Sequence, residues 1–174
     1  MKPVLKKKIV IIGASGVGKT SILTRFIKDE FDDVAHSTKM AAYETKLVEA
    51  VHHTFKLNIW DTVGQEKYAN LTGLYFKDAD AVITVFDVTN KDSFERAQLE
   101  LNKARNNCEK DPVLCLVSNK IDILDHAVDR KEVLEYVRNN KLFYMPTSAR
   151  TGENVIRLFE DVVKALDEFH HAEA

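Results

Sequence analysis

Short apolar runs and segments of helical spacing alternate along the chain. Residues 9–12 and 81–88 are continuous and rich in β-branched side chains, which favours strands buried on both faces of a sheet. After the first run, residues 21–27 have the apolar spacing of an amphipathic helix, which we expect to begin at Lys19 and to fade near 28–30. The chain is therefore predicted to start as a strand, a glycine-rich loop and a helix.

The same pattern continues to the C-terminus. Residues 43–49 and 54–60 predict two strands joined by a turn at 50–53, which lacks the Asn-Gly or Asp-Gly pair of a tight hairpin. Further strands are predicted over 112–118 and 142–145, and further helices over 93–109 (capped by Asn90 or Asp92), 129–139 and 153–169. Because strands alternate with helices, we expect an α/β fold with a parallel sheet, right-handed crossovers and helices on both faces.

In two segments, the apolar residues have neither the spacing of a helix nor that of a strand. Residues 31–40 are expected to form a loop. His52 and His53 lie in the predicted turn at 50–53. Because adjacent strand residues point to opposite faces, we expect both to be solvated turn residues rather than a metal clip.

Composition indicates one domain spanning residues 1–174. The net charge of −2, from 25 basic and 27 acidic residues, gives no reason to expect a nucleic-acid partner. Two cysteines, Cys108 and Cys115, make no disulfide framework, so a reducing, cytoplasmic compartment is expected. The run after Lys6 is too short for a signal peptide. No cysteine at the C-terminus offers a prenylation site, so we expect membrane association only if a lipidated tail follows Ala174.

The loop from Gly13 to Thr20 has the pattern of a phosphate cradle between a strand and a helix. Glycines allow several N–H groups to point into one concavity, and the helix adds its positive N-terminal end. Lys19 can bridge outer phosphates, and the Thr20 hydroxyl suits Mg²⁺, which prefers oxygen ligands. The expected phosphate-binding residues are Ser15, Gly16, Val17, Gly18, Lys19, Thr20 and Ser21.

A second motif, Asn119-Lys120-x-Asp122, follows the strand predicted at 112–118. The Asp122 carboxylate can accept two hydrogen bonds from N1–H and N2–H₂ of guanine, whereas adenine offers no such pair of donors. Asn119 can donate to N7 and brace the phosphate loop, and the Lys120 stem can cover the ring. In the loop after 142–145, Ala149 can offer its N–H to the base O6, with Ser148 and Arg150 shaping the loop.

A third motif, Asp61-x-x-Gly64-Gln65, ends the strand at 54–60. Asp61 can hold Mg²⁺ through water, Gly64 can bring its N–H to a γ-phosphate, and Gln65 can orient an attacking water. Since all three motifs follow strands, we expect them to meet at the carboxyl edge of the sheet.

With these motifs in this order, residues 6–169 resemble a Ras-superfamily small GTPase. The likeness is supported by Trp60-Asp61-Thr62, Phe86-Asp87-Val88-Thr89 and Thr147-Ser148-Ala149. The Rab branch is favoured by Ser15, Ile59-Trp60-Asp61-Thr62, Leu71-Thr72 and Tyr75-Phe76. The resemblance implies a three-layer P-loop G domain whose mostly parallel six-stranded sheet has one antiparallel edge strand and helices on both faces.

The resemblance also implies a function. It implies a monomeric switch that binds GTP and GDP with Mg²⁺, hydrolyses GTP, and acts in vesicular trafficking, in the cytoplasm or at the cytosolic face of endomembranes. Thr38 is implied to close on Mg²⁺ and the γ-phosphate, and Phe31 to pack against guanine. Exchange factor, GTPase-activating protein and effectors are implied to bind through residues 31–42 and 62–76.

The sequence departs from the family pattern in two places. Lys39-Met40-Ala41-Ala42 follows Thr38 where Rab-like sequences usually have Ile-Gly, and Val63 replaces the usual alanine. A β-branched residue beside Gly64 restricts its movement, from which we hypothesise slower hydrolysis or a biased second switch, the segment 62–76. The alternatives are a nucleotide-holding adaptor with negligible hydrolysis, a signalling GTPase outside the Rab branch, and a P-loop kinase or ATPase.

Overall fold

A computed structural model describes residues 1–33, 42–62 and 76–174 of the chain. Strands and helices alternate in these ranges after the first antiparallel pair. They are β1 (Val4–Ile12), α1 (Lys19–Lys28), β2 (Ala42–Glu49), β3 (Thr54–Asp61), β4 (Ala81–Asp87), α2 (Lys91–Asn107), β5 (Val113–Asn119), α3 (Arg130–Asn139), β6 (Phe143–Pro146) and α4 (Val155–Glu173).

The strands form one six-stranded sheet in the order β2-β3-β1-β4-β5-β6. The edge strand β2 runs antiparallel to β3, with Ala42 opposite Asp61, while the other pairings are parallel. This topology confirms the predicted fold class. It also brings the carboxyl ends of β1, β3, β4, β5 and β6 to one edge of the sheet.

The core lies on both faces of the sheet, as the residues of β1 illustrate. Ile9 and Ile11 belong to a cluster with α1 and α4, whereas Val10 and Ile12 pack with α2. The alternation follows from the two-residue period of a strand. Helix α3 joins the face of α2 through Val133. The helices therefore cover both faces, as predicted.

Strand β1 is longer than the apolar run that predicts it, because it begins at Val4 instead of Ile9. Lys7 lies within the strand and is only 9% exposed, with Nζ 3.6 Å from Asp80 Oδ1. The backbone N–H of Lys8 donates to Asp80 Oδ2 at 2.8 Å. Pairing with β3 satisfies the backbone hydrogen bonds of this segment, and Asp80 compensates the charge of Lys7. A charged segment can therefore extend a buried strand.

The expectation that His52 and His53 are solvated turn residues was wrong for His53. Its Nδ1 lies 2.7 Å from Asp167 Oδ1, and the backbone N–H of His52 donates to Asp167 Oδ2 at 3.0 Å. The ring of His52 stacks on that of His171 at 3.7 Å. These contacts hold the β2–β3 turn against the end of α4, which continues to Glu173 instead of ending at 169. None of the helices in the described ranges combines the length and apolar character needed to cross a membrane.

We expect Phe159→Ala to destabilise the protein by about 3–5 kcal/mol, measured by urea unfolding at a fixed nucleotide concentration. Phe159 is fully buried, and its ring stacks on that of Phe26 at 3.9 Å, joining α4 to α1. Ile156→Ala on the same helix is the control, because Ile156 is 53% exposed and should change stability by about 0.5 kcal/mol or less. Equal losses in the two variants would contradict this account of the core.

Candidate functional site

The polar segments that follow β1, β3, β5 and β6 meet at the carboxyl edge of the sheet. Asn119, at the end of β5, donates from Nδ2 to the carbonyl of Val17 at 2.9 Å. Lys120 donates from Nζ to the carbonyl of Gly16 at 2.7 Å. The segment after β5 therefore contacts the glycine-rich loop, although about 100 residues separate the two motifs in the sequence.

At two positions of the loop, neighbouring atoms come so close to the backbone that only glycine fits. A Cβ added at Gly13 (φ +146°) would lie 2.3 Å from the carbonyl oxygen of Val85, and one at Gly18 (φ +100°) would lie 2.3 Å from Asn119 Nδ2. Gly18 is also the N-cap of α1 and, as a glycine, contributes no side-chain cap to this helix. The first-turn N–H groups are thus suited to an anion.

Lys19 is folded back onto the loop. Its Nζ donates to the carbonyls of Gly13 at 3.0 Å and Ala14 at 2.9 Å, and the residue is 6% exposed. Burial lowers the pKa of Lys19 to about 8, an effect that the nearby Asp61 carboxylate opposes. The ammonium therefore lies at the loop with two neutral acceptors, which phosphate oxygens can replace.

Asp61 and Thr20 form the second polar group of the site. The Thr20 hydroxyl donates to Asp61 Oδ2 at 2.5 Å, and Asp61 is completely buried. Burial raises the pKa of Asp61, while the hydrogen bond from Thr20 and the charge of Lys19 lower it. In the described part of the chain, Asp61 Oδ1 has no hydrogen-bond partner. A buried carboxylate oxygen without a donor, beside a hydroxyl, fits a hard divalent cation such as Mg²⁺.

The third group surrounds Asp122. Ser148 donates from its hydroxyl to Asp122 Oδ1 at 2.8 Å. Asn119 Oδ1 accepts from the Thr147 hydroxyl at 3.0 Å and from the Ala149 N–H at 3.2 Å. The predicted bracing by Asn119 is thus present. The Ala149 N–H, predicted to face the base O6, is directed at Asn119 in this structure.

Asp87 belongs to the motif Phe86-Asp87-Val88-Thr89, and the sequence alone predicts no individual role for it. Its Oδ2 lies 2.8 Å from Lys120 Nζ, and its Oδ1 accepts from the Thr89 N–H at 2.8 Å and hydroxyl at 2.6 Å. Although burial acts in the opposite direction, the hydrogen bonds from Lys120 and Thr89 lower the pKa of Asp87. Asp87 therefore fixes the head of the Lys120 side chain. An acidic residue at the end of an otherwise apolar buried strand was the available signal.

Several predicted residues are not tested by these contacts. Phe31 is half-buried and packs against the core cluster of α1 and α4. Ser21 is half-buried in α1, Ser15 is exposed in the loop, and Arg150 is exposed, with Nη2 4.0 Å from Asp33 Oδ1. Their roles toward a nucleotide stay predictions. Other residues fall outside the described ranges, namely Thr38, Lys39, Val63, Gly64 and Gln65.

Comparison with known proteins gives consistent matches. A family model described as "Ras family" matches residues 8–168. "Ras-related protein RABF2a" of Arabidopsis thaliana is 39% identical over 170 residues, covering 97% of this chain and 85% of that protein. "Ras-related protein RABF2b" of the same plant is 39% identical over 163 residues, which cover 93% of this chain and 82% of that protein. "GTP-binding protein ypt5" of Schizosaccharomyces pombe is 37% identical over 165 residues (93% and 78%).

We expect nucleotide binding to become proton-linked above about pH 8. Free Lys19, with a pKa of about 8, loses its proton there, whereas phosphate oxygens favour the charged form. The affinity for GDP should therefore fall by up to about tenfold per pH unit above that value. Lys19→Arg is the control, since arginine stays charged over this range. The measurement is the dissociation constant from pH 7 to 9.5, and identical pH profiles for both proteins would contradict the assignment.

Proposed function

The chain belongs to the Ras family of small GTPases, as a Rab-like member, and on this premise we propose a guanine-nucleotide switch that hydrolyses GTP with Mg²⁺. The observation that carries the proposal is the bonding of Asn119 and Lys120 to the carbonyls of Val17 and Gly16. It joins the residues suited to a base and those suited to phosphates in one site.

The base end supports guanine. Asp122 is half-buried, and the Ser148 hydroxyl bonds only one of its oxygens among the contacts described above. A carboxylate offers about four lone-pair sites, so it still accepts from N1–H and N2–H₂ of guanine. The Lys120 stem is held between Asp87 and Gly16, where it can cover the ring. A base without that donor pair would leave the carboxylate with the Ser148 hydroxyl but without the two donors from the base.

The phosphate end supports GTP and GDP. Lys19 exchanges its two carbonyl acceptors for phosphate oxygens, and the first-turn N–H groups of α1 bind the same anion. Thr20 and Asp61 would hold Mg²⁺, with Thr38 as a further proposed ligand. The bound cation supplies neutralisation of charge on the phosphate oxygens.

For hydrolysis, we assign Gln65 to orient the attacking water and the Gly64 N–H to contact the γ-phosphate. No arginine occurs between residues 31 and 40 to stabilise the transition state from within the chain. The isolated protein should therefore be slow, on the order of 10⁻⁴ to 10⁻³ per second, as is usual for this family without an activating partner. We propose that loss of the γ-phosphate releases Thr38 and Gly64. The segments around these two residues would then change between an ordered and a disordered state.

We propose a role in vesicular trafficking for this chain, as its resemblance to the Rab branch implies. We assign residues 31–42 and 62–76 to exchange factor, GTPase-activating protein and effectors, and expect a monomer. The proposed site of action is the cytoplasm and the cytosolic face of endomembranes.

The direct test identifies the nucleotide that the purified protein retains. After denaturation, chromatography should show close to one GDP or GTP per chain, and excess ATP should not displace it. Chelation of Mg²⁺ should accelerate its release. A protein that retains no guanine nucleotide, or that exchanges it for ATP, would exclude the proposed function.

We expect Asp122→Asn to transfer base preference from guanine to xanthine. An amide presents one acceptor and one donor, which match the N1–H and C2 carbonyl of xanthine, whereas guanine needs two acceptors. The affinity for GDP should fall by roughly 10- to 150-fold, and the affinity for xanthosine diphosphate should rise. Asp125→Asn, at an exposed position of the same loop, is the matched control. An unchanged preference in Asp122→Asn would show that Asp122 does not read the base.

A further inference from the structure

We propose that Arg25 is a positioning residue that holds the base loop, residues 147–150, and thereby sets how long a guanine nucleotide stays bound. The inference rests on the proposed function. It gives Arg25 a part in the site although this residue lies in the last turn of α1, outside the motifs that follow the strands.

The guanidinium of Arg25 bonds two consecutive carbonyls of the base loop. Its Nε donates to the carbonyl of Ala149 at 2.9 Å, and its Nη2 donates to the carbonyl of Arg150 at 2.6 Å. The side chain is only 16% exposed. Because the donors lie in one rigid plane, two such bonds fix the orientation of the loop as well as its distance from α1.

The third edge of the same guanidinium is fixed to the end of α1. Nη1 lies 3.1 Å from both the backbone carbonyl and the Oδ1 atom of Asp29. Asp29 is the C-cap of α1 and has a left-handed backbone (φ 55°). Arg25 is thus anchored on its own helix before it reaches the base loop.

This arrangement connects the two ends of the proposed nucleotide site. Helix α1 begins at Lys19 and Thr20, the residues assigned to the phosphates. The base loop contains the Ala149 N–H, which donates to Asn119 Oδ1 at 3.2 Å and is predicted to reach the base O6 when a nucleotide is bound. Ala149 is 2% exposed, so loss of Arg25 would leave its carbonyl buried without this donor. We therefore expect the loop to move away from the base when Arg25 is replaced.

The first measurement is the dissociation rate of GDP in excess Mg²⁺. Arg25→Lys keeps the positive charge but removes the planar fork that spans two carbonyls, and we expect about tenfold faster dissociation. Lys28→Gln, at an exposed position of the same helix, should leave the rate unchanged. An unchanged rate in Arg25→Lys would overturn the proposal.

Two analogues separate positioning from a general structural role. Inosine diphosphate lacks the 2-amino group that faces Asp122 but keeps O6, whereas 6-thioguanosine diphosphate replaces O6 by sulfur, a weak acceptor. Arg25→Lys should accelerate release of inosine diphosphate by about tenfold, as for GDP, but release of the thio analogue by about threefold or less. Equal acceleration for all three nucleotides would indicate a structural role and overturn the proposal.

A milder variant covers the case in which Arg25→Lys does not fold. Asp29→Asn removes the charge beside Nη1 at a position that is 85% exposed, and asparagine tolerates a left-handed backbone. We expect about twofold faster release of GDP and no change for the thio analogue. If Asp29→Asn accelerated release of both nucleotides equally, or left release of GDP unchanged, the positioning role of Arg25 would be contradicted. Failure of the wild-type protein to retain GDP would instead refute the proposed function.

Discussion

The site depends on the buried side-chain amide of Asn119. Its Nδ2 bonds the carbonyl of Val17 in the phosphate loop, and its Oδ1 accepts from Thr147 and Ala149 in the base loop. Asn119 is 1% exposed, so each of these polar groups would lose its partner in a place where water hardly reaches. One amide therefore holds two loops that come from opposite halves of the chain. The parallel sheet makes this possible, because it brings the ends of β1, β5 and β6 to one edge.

Two ionisable side chains buried near this connection would be stabilised by a charged ligand. Lys19 is directed at two neutral carbonyls, and Asp61 has one oxygen without a hydrogen-bond partner in the described ranges. Burial works against the charge of both groups. A phosphate and a divalent cation would each supply the opposite charge that these groups require. This electrostatic fit, together with Asn119, is why the arrangement suits a nucleotide phosphate better than a neutral ligand.

The sequence predicted the α/β order and the residues of the motifs because both are local patterns. Strands such as β4 are continuous apolar runs, and the loop from Gly13 to Thr20 carries its own spacing. The start of β1 was missed because Lys7 and Lys8 are compensated by Asp80 and Asp78, which lie about 70 residues away. The contact of His53 with Asp167 was missed for the same reason. Arg25 likewise reaches carbonyls that lie more than 120 residues along the chain. Pairings over such distances follow from topology and carry no signal in the spacing of residues.

The central claim is that one buried amide makes the base loop and the phosphate loop a single site. The most direct test is amide hydrogen exchange of the Asn119→Ala protein in the presence of GDP, combined with its GDP affinity. We predict that affinity falls by about 100-fold or more, and that protection is lost both in residues 13–20 and in residues 147–150. Loss of protection in only one of the two loops, or an affinity within about threefold of the wild type, would contradict the account.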